Sequence, residues 1–231
     1  MTKRINVERN ILSANDEVAE NNKRKFDSAG VFAINIMASP GAGKTTFILK
    51  TMEALNNRLS MGVIEGDLAS TIDTDKVKSA GVSAVQINTG GECHLDAVMV
   101  ADVLPSLPLS KLDLVIIENV GNLVCPVNFR IGSHINVLIA SIPEGDDKPY
   151  KYPGAYRGVN ALIISKTDLL PYIPFDMDYF QKGVEILNPG LITFPVSAKT
   201  GAGMKFWADW LVGKVSSWKS GLLTSINIPQ R

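Results

Sequence analysis

Cysteine is nearly missing from this chain of 231 residues: Cys93 and Cys125 are the whole supply. So small a number excludes a disulfide framework and points to a reduced, cytoplasmic setting. Histidine is as scarce, with only His94 and His134, so there is no His-rich tract. An excess of either charge is also missing. The 23 basic and 23 acidic residues cancel, which gives no electrostatic footprint for nucleic acid. No apolar run reaches the length of a membrane span, and the first residues are polar and charged, so neither a membrane partner nor a leader is expected. Low-complexity stretches and internal repeats are absent too. With 45% hydrophobic and 20% charged residues, the composition is that of a folded domain with a substantial core, not of a disordered chain.

What is present is organised around Met37-Ala38-Ser39-Pro40-Gly41-Ala42-Gly43-Lys44-Thr45-Thr46. It follows an apolar run, Val31 to Ile36, that reads as a buried strand, and it precedes a helical pattern from Thr45 to about Leu59. Strand, glycine loop, Gly-Lys-Thr and helix together form the context of a phosphate-binding P-loop. Gly41, Ala42 and Gly43 let backbone N–H groups turn inward on a phosphate. In such a loop Lys44 reaches the outer phosphates, the Thr45 hydroxyl holds Mg²⁺, and Thr46 continues the helix whose N-terminus favours negative charge. Ala38 stands where a first glycine is usual and fits if its φ stays negative.

Around this loop the pattern alternates strands and helices. An accessory helix is expected over residues 5–28, ended by Ala29-Gly30. Strands are expected at 61–67, 83–87, 114–118, 136–140, 161–164 and 192–196. Helices are expected at 72–77, 95–103 and 176–187, and near the C-terminus, where Trp207, Leu211, Val215 and Trp218 share a face. Pro105 and Pro108 mark a connector. Nearly all-apolar strands such as Leu114-Val115-Ile116-Ile117 belong at the centre of a parallel sheet. The expectation is one α/β domain: a doubly wound, mostly parallel sheet flanked by helices, with the accessory helix at 5–28, the nucleotide-binding part at 31–218 and a tail at 219–231.

Ligands in such sheets sit at the carboxyl ends of strands. Asp67 and Glu118 both fall there, and two carboxylates facing a P-loop suit Mg²⁺. Asp67 taken alone also reads as a helix cap or strand-end charge. Glu118-Asn119-Val120-Gly121 resembles the D-x-x-G element of GTPases, whose glycine N–H senses the γ-phosphate. Asn122 follows where Ras-type enzymes place a water-orienting glutamine, so slow hydrolysis is expected, with Asp67 the candidate to orient the water.

Ser165-Lys166-Thr167-Asp168 resembles the guanine-reading N-K-x-D motif, and Ser197-Ala198-Lys199 the S-A-K element that offers a backbone N–H to guanine O6. A carboxylate at Asp168 accepts two parallel donors, and guanine presents N1–H beside its exocyclic amine. Adenine places an acceptor there and would leave Asp168 unsatisfied. Lys166 can lay its stem over the base. Ser165 is shorter than the usual Asn, which predicts the loss of one bond, to the base or to the P-loop. Each motif alone is weak; a Lys-Thr-Asp turn is often only a helix start.

Cys93-His94 and Cys125-Pro126 fall in expected loops just past strand ends. Thiolate and imidazole suit Zn²⁺ or Ni²⁺, whereas the plain alternative is a small buried thiol and an exposed imidazole. Three soft ligands leave a tetrahedral shell open for a partner chain, water or a transferable ion. His134 reads as a surface residue. The segment Glu144 to Pro153 reads as a polar loop: either a solvated charged turn, or one whose Lys148 or Lys151 reaches a phosphate in its own chain or across a dimer.

Taken together, Ser39–Thr46, Gly66-Asp67, Asn88–Ala97, Glu118–Pro126 and Glu144–Pro153 resemble the hydrogenase nickel-incorporation GTPases of the HypB family, a SIMIBI-class P-loop family. So does Asn15-Asp16-Glu17, and the resemblance runs from about residue 6 to 218. It implies a dimerising GTPase that helps load nickel into hydrogenase precursors. It implies Cys93, His94 and Cys125 as Ni²⁺ or Zn²⁺ ligands, and Thr45, Asp67 and Glu118 around Mg²⁺. The implied GTP/GDP contacts are Gly41, Gly43, Lys44, Thr45, Thr46, Lys166, Asp168 and Ala198. A homodimer, a hydrogenase large-subunit precursor and a nickel-binding accessory chaperone are the implied partners. The N-terminal Cys motif and His-rich tract of some members have no counterpart here, so high-affinity nickel storage is not implied. A urease-type nickel-insertion GTPase is the near alternative, but its Cys-Pro-His motif is absent. A nucleotide-regulated metal-binding module with negligible hydrolysis is the alternative of another class. A small-molecule P-loop kinase leaves the guanine motifs unexplained.

Overall fold

The structure, a computed structural model, describes residues 7–67 and 81–226, with side chains described over 12–66 and 81–222. The helix expected at 72–77 and the last residues, 227–231, lie outside the described residues. Helix α1 spans Val7–Ala29 and ends in a Schellman arrangement: Gly30 takes φ +69°, Val31 N–H donates to Phe26 O (3.0 Å) and Gly30 N–H to Asp27 O (3.1 Å). There follow β1 (Phe32–Ala38), α2 (Lys44–Leu55), β2 (Met61–Asp67), β3 (Ser83–Asn88), α3 (Ala97–Val103) and β4 (Leu114–Glu118). The second half holds β5 (Ile135–Ser141), α4 (Lys148–Lys151), α5 (Pro153–Arg157), β6 (Ala161–Ser165), α6 (Met177–Leu187), β7 (Thr193–Pro195) and α7 (Met204–Ile226).

The seven strands form one sheet in the order β3-β2-β4-β1-β5-β6-β7, every pair parallel. The apolar strands β1, β4 and β6 are buried along their whole length, as central strands covered on both faces must be. Alternate side chains feed different layers. Ile34, Ile36 and Ile116 meet Phe47 of α2 and Trp207 of α7, while Ala33, Val115 and Ile117 meet Phe26 of α1 and Val100. Leu138 and Leu162 build a third cluster with Tyr156 and Phe180. Trp207, Leu211 and Val215 are buried as the helical spacing requires, and the Trp207 indole donates to Thr51 Oγ1 (3.0 Å). Helix α7 continues past residue 218 to Ile226.

Three expectations are corrected. The segment Glu144 to Pro153 is not a loop. A Ser141–Glu144 capping box, with both Ser141 N–H and Oγ–H on Glu144 Oε2 at 2.8 Å, starts a short 3₁₀ turn, and Pro149 and Pro153 sit in the first turns of α4 and α5, where their missing N–H costs nothing. Tyr150 stacks on Tyr179 of α6, Lys148 lies 5.0 Å from the Tyr152 ring and Lys151 pairs with Asp147. Second, His134 is not a surface residue. Its side chain is 4% exposed; Nδ1 accepts from Ala33 N–H and Nε2 donates to Asp27, both at 2.8 Å. An acceptor Nδ1 fixes the neutral tautomer, and burial holds this imidazole below its ordinary value against the pull of Asp27. Third, β7 is only three residues, with Pro195 on the edge strand and its missing N–H turned away from β6, while Val196 N–H still donates to Ile164 O at 2.8 Å.

Strand β1 leads through α2 to β2 on one side of the sheet, while β5 and its successors lie on the other. The carboxyl end of β1 is therefore the switch point, where ligands bind in such folds.

Candidate nucleotide and metal site

Ala38 closes β1 fully buried and without positive φ, so alanine fits there at no backbone cost. Gly43 takes φ +94° and opens α2 with no side-chain cap, which leaves the first N–H groups of the helix facing the loop. Lys44 is its first residue and Thr45 its second; Thr45 Oγ1–H donates to Glu118 Oε1 at 3.0 Å. Glu118 is 5% exposed at the end of β4, and Glu65 of β2 lies beside it in register, also buried. Two hard oxygens in contact beside the P-loop fit Mg²⁺. Asp67 ends β2 in register with Asn88, and its side chain lies outside the described residues.

The base-reading half is closed by hydrogen bonds. Lys166 adopts φ +60°, a left-handed conformation uncommon for a side chain of this size, and its Nζ donates to Gly41 O at 2.7 Å. Its stem passes over the P-loop, with Cε 3.7 Å from where a Cβ on Gly43 would stand. Ser165 Oγ–H donates to Ala42 O at 3.0 Å, so of the two bonds its shorter reach put in question, to the base or to the P-loop, serine keeps the one to the P-loop. Ser197 Oγ–H donates to Asp168 Oδ1 at 2.6 Å, which still leaves a lone pair on that oxygen and the whole of the second for two ligand donors, and Thr200 N–H donates to Ser197 Oγ. A cavity of about 390 Å³ lies between these groups, walled by Gly43, Thr46, Lys166, Asp168, Ala198 and Lys199. That volume lies in the range of small-molecule sites.

The soft ligands converge on the other side. The ligand atoms of Cys93, His94 and Cys125 lie within 4.8 Å of one another, with the two sulfurs 2.8 Å apart and Cys93 Sγ 3.8 Å from His94 Nδ1. All three residues are half-buried, and the His94 ring packs on Phe129 at 4.0 Å. The hydrogen bond to Cys93, then burial, holds the Cys125 thiol above its ordinary value. Gly121 joins the halves: a Cβ there would stand 2.9 Å from Pro40 Cα, so only glycine lets this loop lie against the P-loop. The structure thus brings every expected site residue with a described side chain to one end of the sheet. Sequence reasoning missed Glu65 and Asn119; a lone acid inside an apolar strand and an amide directly after one were the available signals.

The P-loop, the strand-end carboxylates and the paired base-reading loops define a nucleotide-binding protein of the P-loop class. The signal recognition particle receptor FtsY from Elizabethkingia anophelis, solved in complex with GDP, shares the fold at TM-score 0.53 and 19% identity, over 87% of this chain and 75% of that one. Residues 32–194 match the family described as CobW/HypB/UreG, nucleotide-binding domain. The chain belongs to that family, and within it to the hydrogenase maturation factors HypB. It is 44% identical over 207 residues to hydrogenase maturation factor HypB of Rhizobium leguminosarum bv. viciae, covering 90% of this chain and 69% of that one. The structure of HypB from Helicobacter pylori in complex with nickel superposes at TM-score 0.84 with 36% identity, over 88% of this chain and 96% of that one.

Proposed function

We propose that the chain is a cytoplasmic GTP-hydrolysing metallochaperone that assists nickel insertion into a nickel–iron hydrogenase precursor, its metal site coupled to nucleotide-dependent dimerisation. The observation that carries this reading is a single loop: Glu118 meets Thr45 at one end of it and Cys125 meets Cys93 at the other. Nucleotide phosphates and a soft metal ion are thereby read by one segment.

In this reading Gly41 to Thr46 hold the phosphates with Lys44 as the cation. Mg²⁺, held through Thr45 with Glu118 and Asp67, neutralises charge on the outer phosphates. Lys166, Asp168, Ser197, Ala198 and Lys199 hold guanine, and the Gly121 N–H reports the γ-phosphate. Asp67 orients the attacking water. Turnover is slow, well below the ~10 s⁻¹ typical of enzymes, since Asn122 engages Val124 N–H at 2.8 Å and does not supply a glutamine amide. Cys93, His94 and Cys125 carry Ni²⁺ or Zn²⁺ as cargo. Three ligands per chain leave room for donors from a second copy related by a twofold axis, and release goes to the precursor or to a nickel-binding accessory chaperone.

Sedimentation of the protein with GDP or a non-hydrolysable GTP analogue, each with and without Ni²⁺ or Zn²⁺, tests this. The expected result is a dimer favoured by the analogue and strengthened by metal. Identical monomer fractions in all conditions remove the coupling. Because Asn122 is engaged locally, a second reading is kept, a nucleotide-regulated metal module with negligible hydrolysis; absence of phosphate release in a single-turnover assay selects it.

A further inference from the structure

Between the two halves of the site lies a side chain to which neither half has assigned a role. Asn119 is fully buried immediately after β4, its backbone N–H fixed on Ile36 O of β1 (3.0 Å). Its Oδ1 accepts two backbone donors: Leu95 N–H at 3.0 Å and Val120 N–H at 2.9 Å. Leu95 follows His94, and Val120 precedes Gly121. One oxygen therefore ties the loop carrying Cys93 and His94 to the loop expected to sense the γ-phosphate, and both its lone pairs are used. The amide is held from behind by Asn35, which accepts from Asn119 Nδ2 at 3.2 Å and itself donates to Asn136 at 3.1 Å. Leu95 cannot drift sideways. Its side chain is buried against Gly66, where any Cβ would stand 2.7 Å from it.

We infer that Asn119 is the positioning residue that couples nucleotide state to the metal ligands, by moving the Leu95 and Val120 amides as one body. The inference rests on the functional reading above. A γ-phosphate that draws Gly121 N–H shifts the adjoining Val120 N–H. The shared oxygen passes that shift to Leu95 N–H, and so to the backbone that aims Cys93 and His94. Cys125 is moved through the chain that follows Gly121; without Asn119 the Cys93-His94 loop would receive the signal only at its ligand end, through the Cys93–Cys125 contact or the metal. Buried, doubly accepting side-chain amides are stiff joints, because a lost partner leaves a desolvated N–H that nothing else can satisfy.

The test is Ni²⁺ titration of the full chain in GDP and in a non-hydrolysable GTP analogue, for wild type, Asn119→Ala and Asn119→Asp. In wild type the two Ni²⁺ dissociation constants should differ by at least about fivefold, the low end of ordinary coupling. In Asn119→Ala the ratio should fall to within about twofold of one; Asn119→Asp keeps the doubly accepting oxygen and, with the Asn35 amide turned to donate to its other oxygen, should retain most of the ratio. A merely structural role would lower the melting temperature and both affinities together and leave the ratio alone. An unchanged ratio in Asn119→Ala overturns the inference. If that variant does not fold, hydrogen exchange on metal-free wild type decides. Protection of the Leu95 amide should change between GDP and the analogue in step with Val120, and a Leu95 amide blind to nucleotide overturns it. Wild type that binds GTP and nickel without any coupling overturns this inference alone; wild type that binds neither removes the functional reading as well.

Discussion

The base-reading half and the metal half of this site are built in opposite ways. Around Asp168 and Lys166 the hydrogen bonds are already made: Ser197 to Asp168, Lys166 to Gly41, Ser165 to Ala42. Lys166 is even held in a left-handed conformation by its surroundings. Around Cys93, His94 and Cys125 the ligands lie on two loops, half-exposed, with two sulfurs close enough to share a proton. A rigid half costs little to fill and discriminates by leaving wrong ligands unsatisfied. A half assembled from separate loops responds to what moves those loops. The difference suits the proposed function, in which one nucleotide is chosen and a metal is both taken up and given away.

The contrast can be broken first at Asp168. Asp168→Asn turns an acceptor into a donor facing guanine's own donors. GTP affinity should fall by on the order of a thousandfold, with xanthosine nucleotides, which carry a carbonyl at that position, now preferred. Competition titration measures it; wild type that binds ATP as tightly as GTP would end the claim of a discriminating half. Next is Cys125→Ala, which removes one of three soft ligands. Ni²⁺ or Zn²⁺ affinity should drop roughly tenfold to a hundredfold, while GDP affinity stays within the wild-type range. Full metal affinity in that variant would mean that the two sulfurs meet for packing only.

Gly121→Ala sharpens the comparison at the joint. A methyl group would press on the Pro40 backbone, which cannot rotate away, at a cost of about 1–3 kcal/mol of stability. Binding of the GTP analogue should suffer more than binding of GDP, because only the former uses the loop; equal losses would deny that role. The smallest effect lies outside both halves. His134 is held below its ordinary value by burial, so the unfolded chain takes up its proton first. Its contribution is complete above about pH 6.5 and is lost as pH falls below that value. Asp27 is raised by burial, but its bonds to His134 and Lys23 outweigh this and hold it below the usual carboxylate range, so it titrates at lower pH. Melting temperature should therefore decline as pH falls below about 6.5, and His134→Gln should flatten that decline.

Much of the phosphate side was legible because its chemistry is local. Gly41-Ala42-Gly43-Lys44-Thr45 is a strand-to-helix turn whose function is written in consecutive residues. The strand pattern was equally plain, since fully buried parallel strands are nearly all apolar. Helices α4 and α5 were not legible: Lys148-Pro149-Tyr150-Lys151 carries proline and charge, and becomes helical only where Tyr150 can stack on Tyr179 and cover Gly183. His134 was misread for a related reason. One imidazole among polar residues gives no sign that Asp27 and Ala33, each about a hundred positions away, will enclose it.

By itself the sequence determined the α/β layering, the place of the phosphate loop and the chemical types of the ligands, because periodicity, glycine spacing and side-chain chemistry act over neighbouring residues. Tertiary structure alone decided which of these groups meet. Parallel pairing of β1 and β4 sets Glu118 beside Thr45, and the crossing of two loops brings Cys93 to Cys125 and hangs Leu95 and Val120 on one oxygen of Asn119. Apart from the adjacent Asn119 and Val120, these meetings join residues 24 to 73 positions apart, and their partners are chosen by the packing of the whole sheet, which no local pattern encodes.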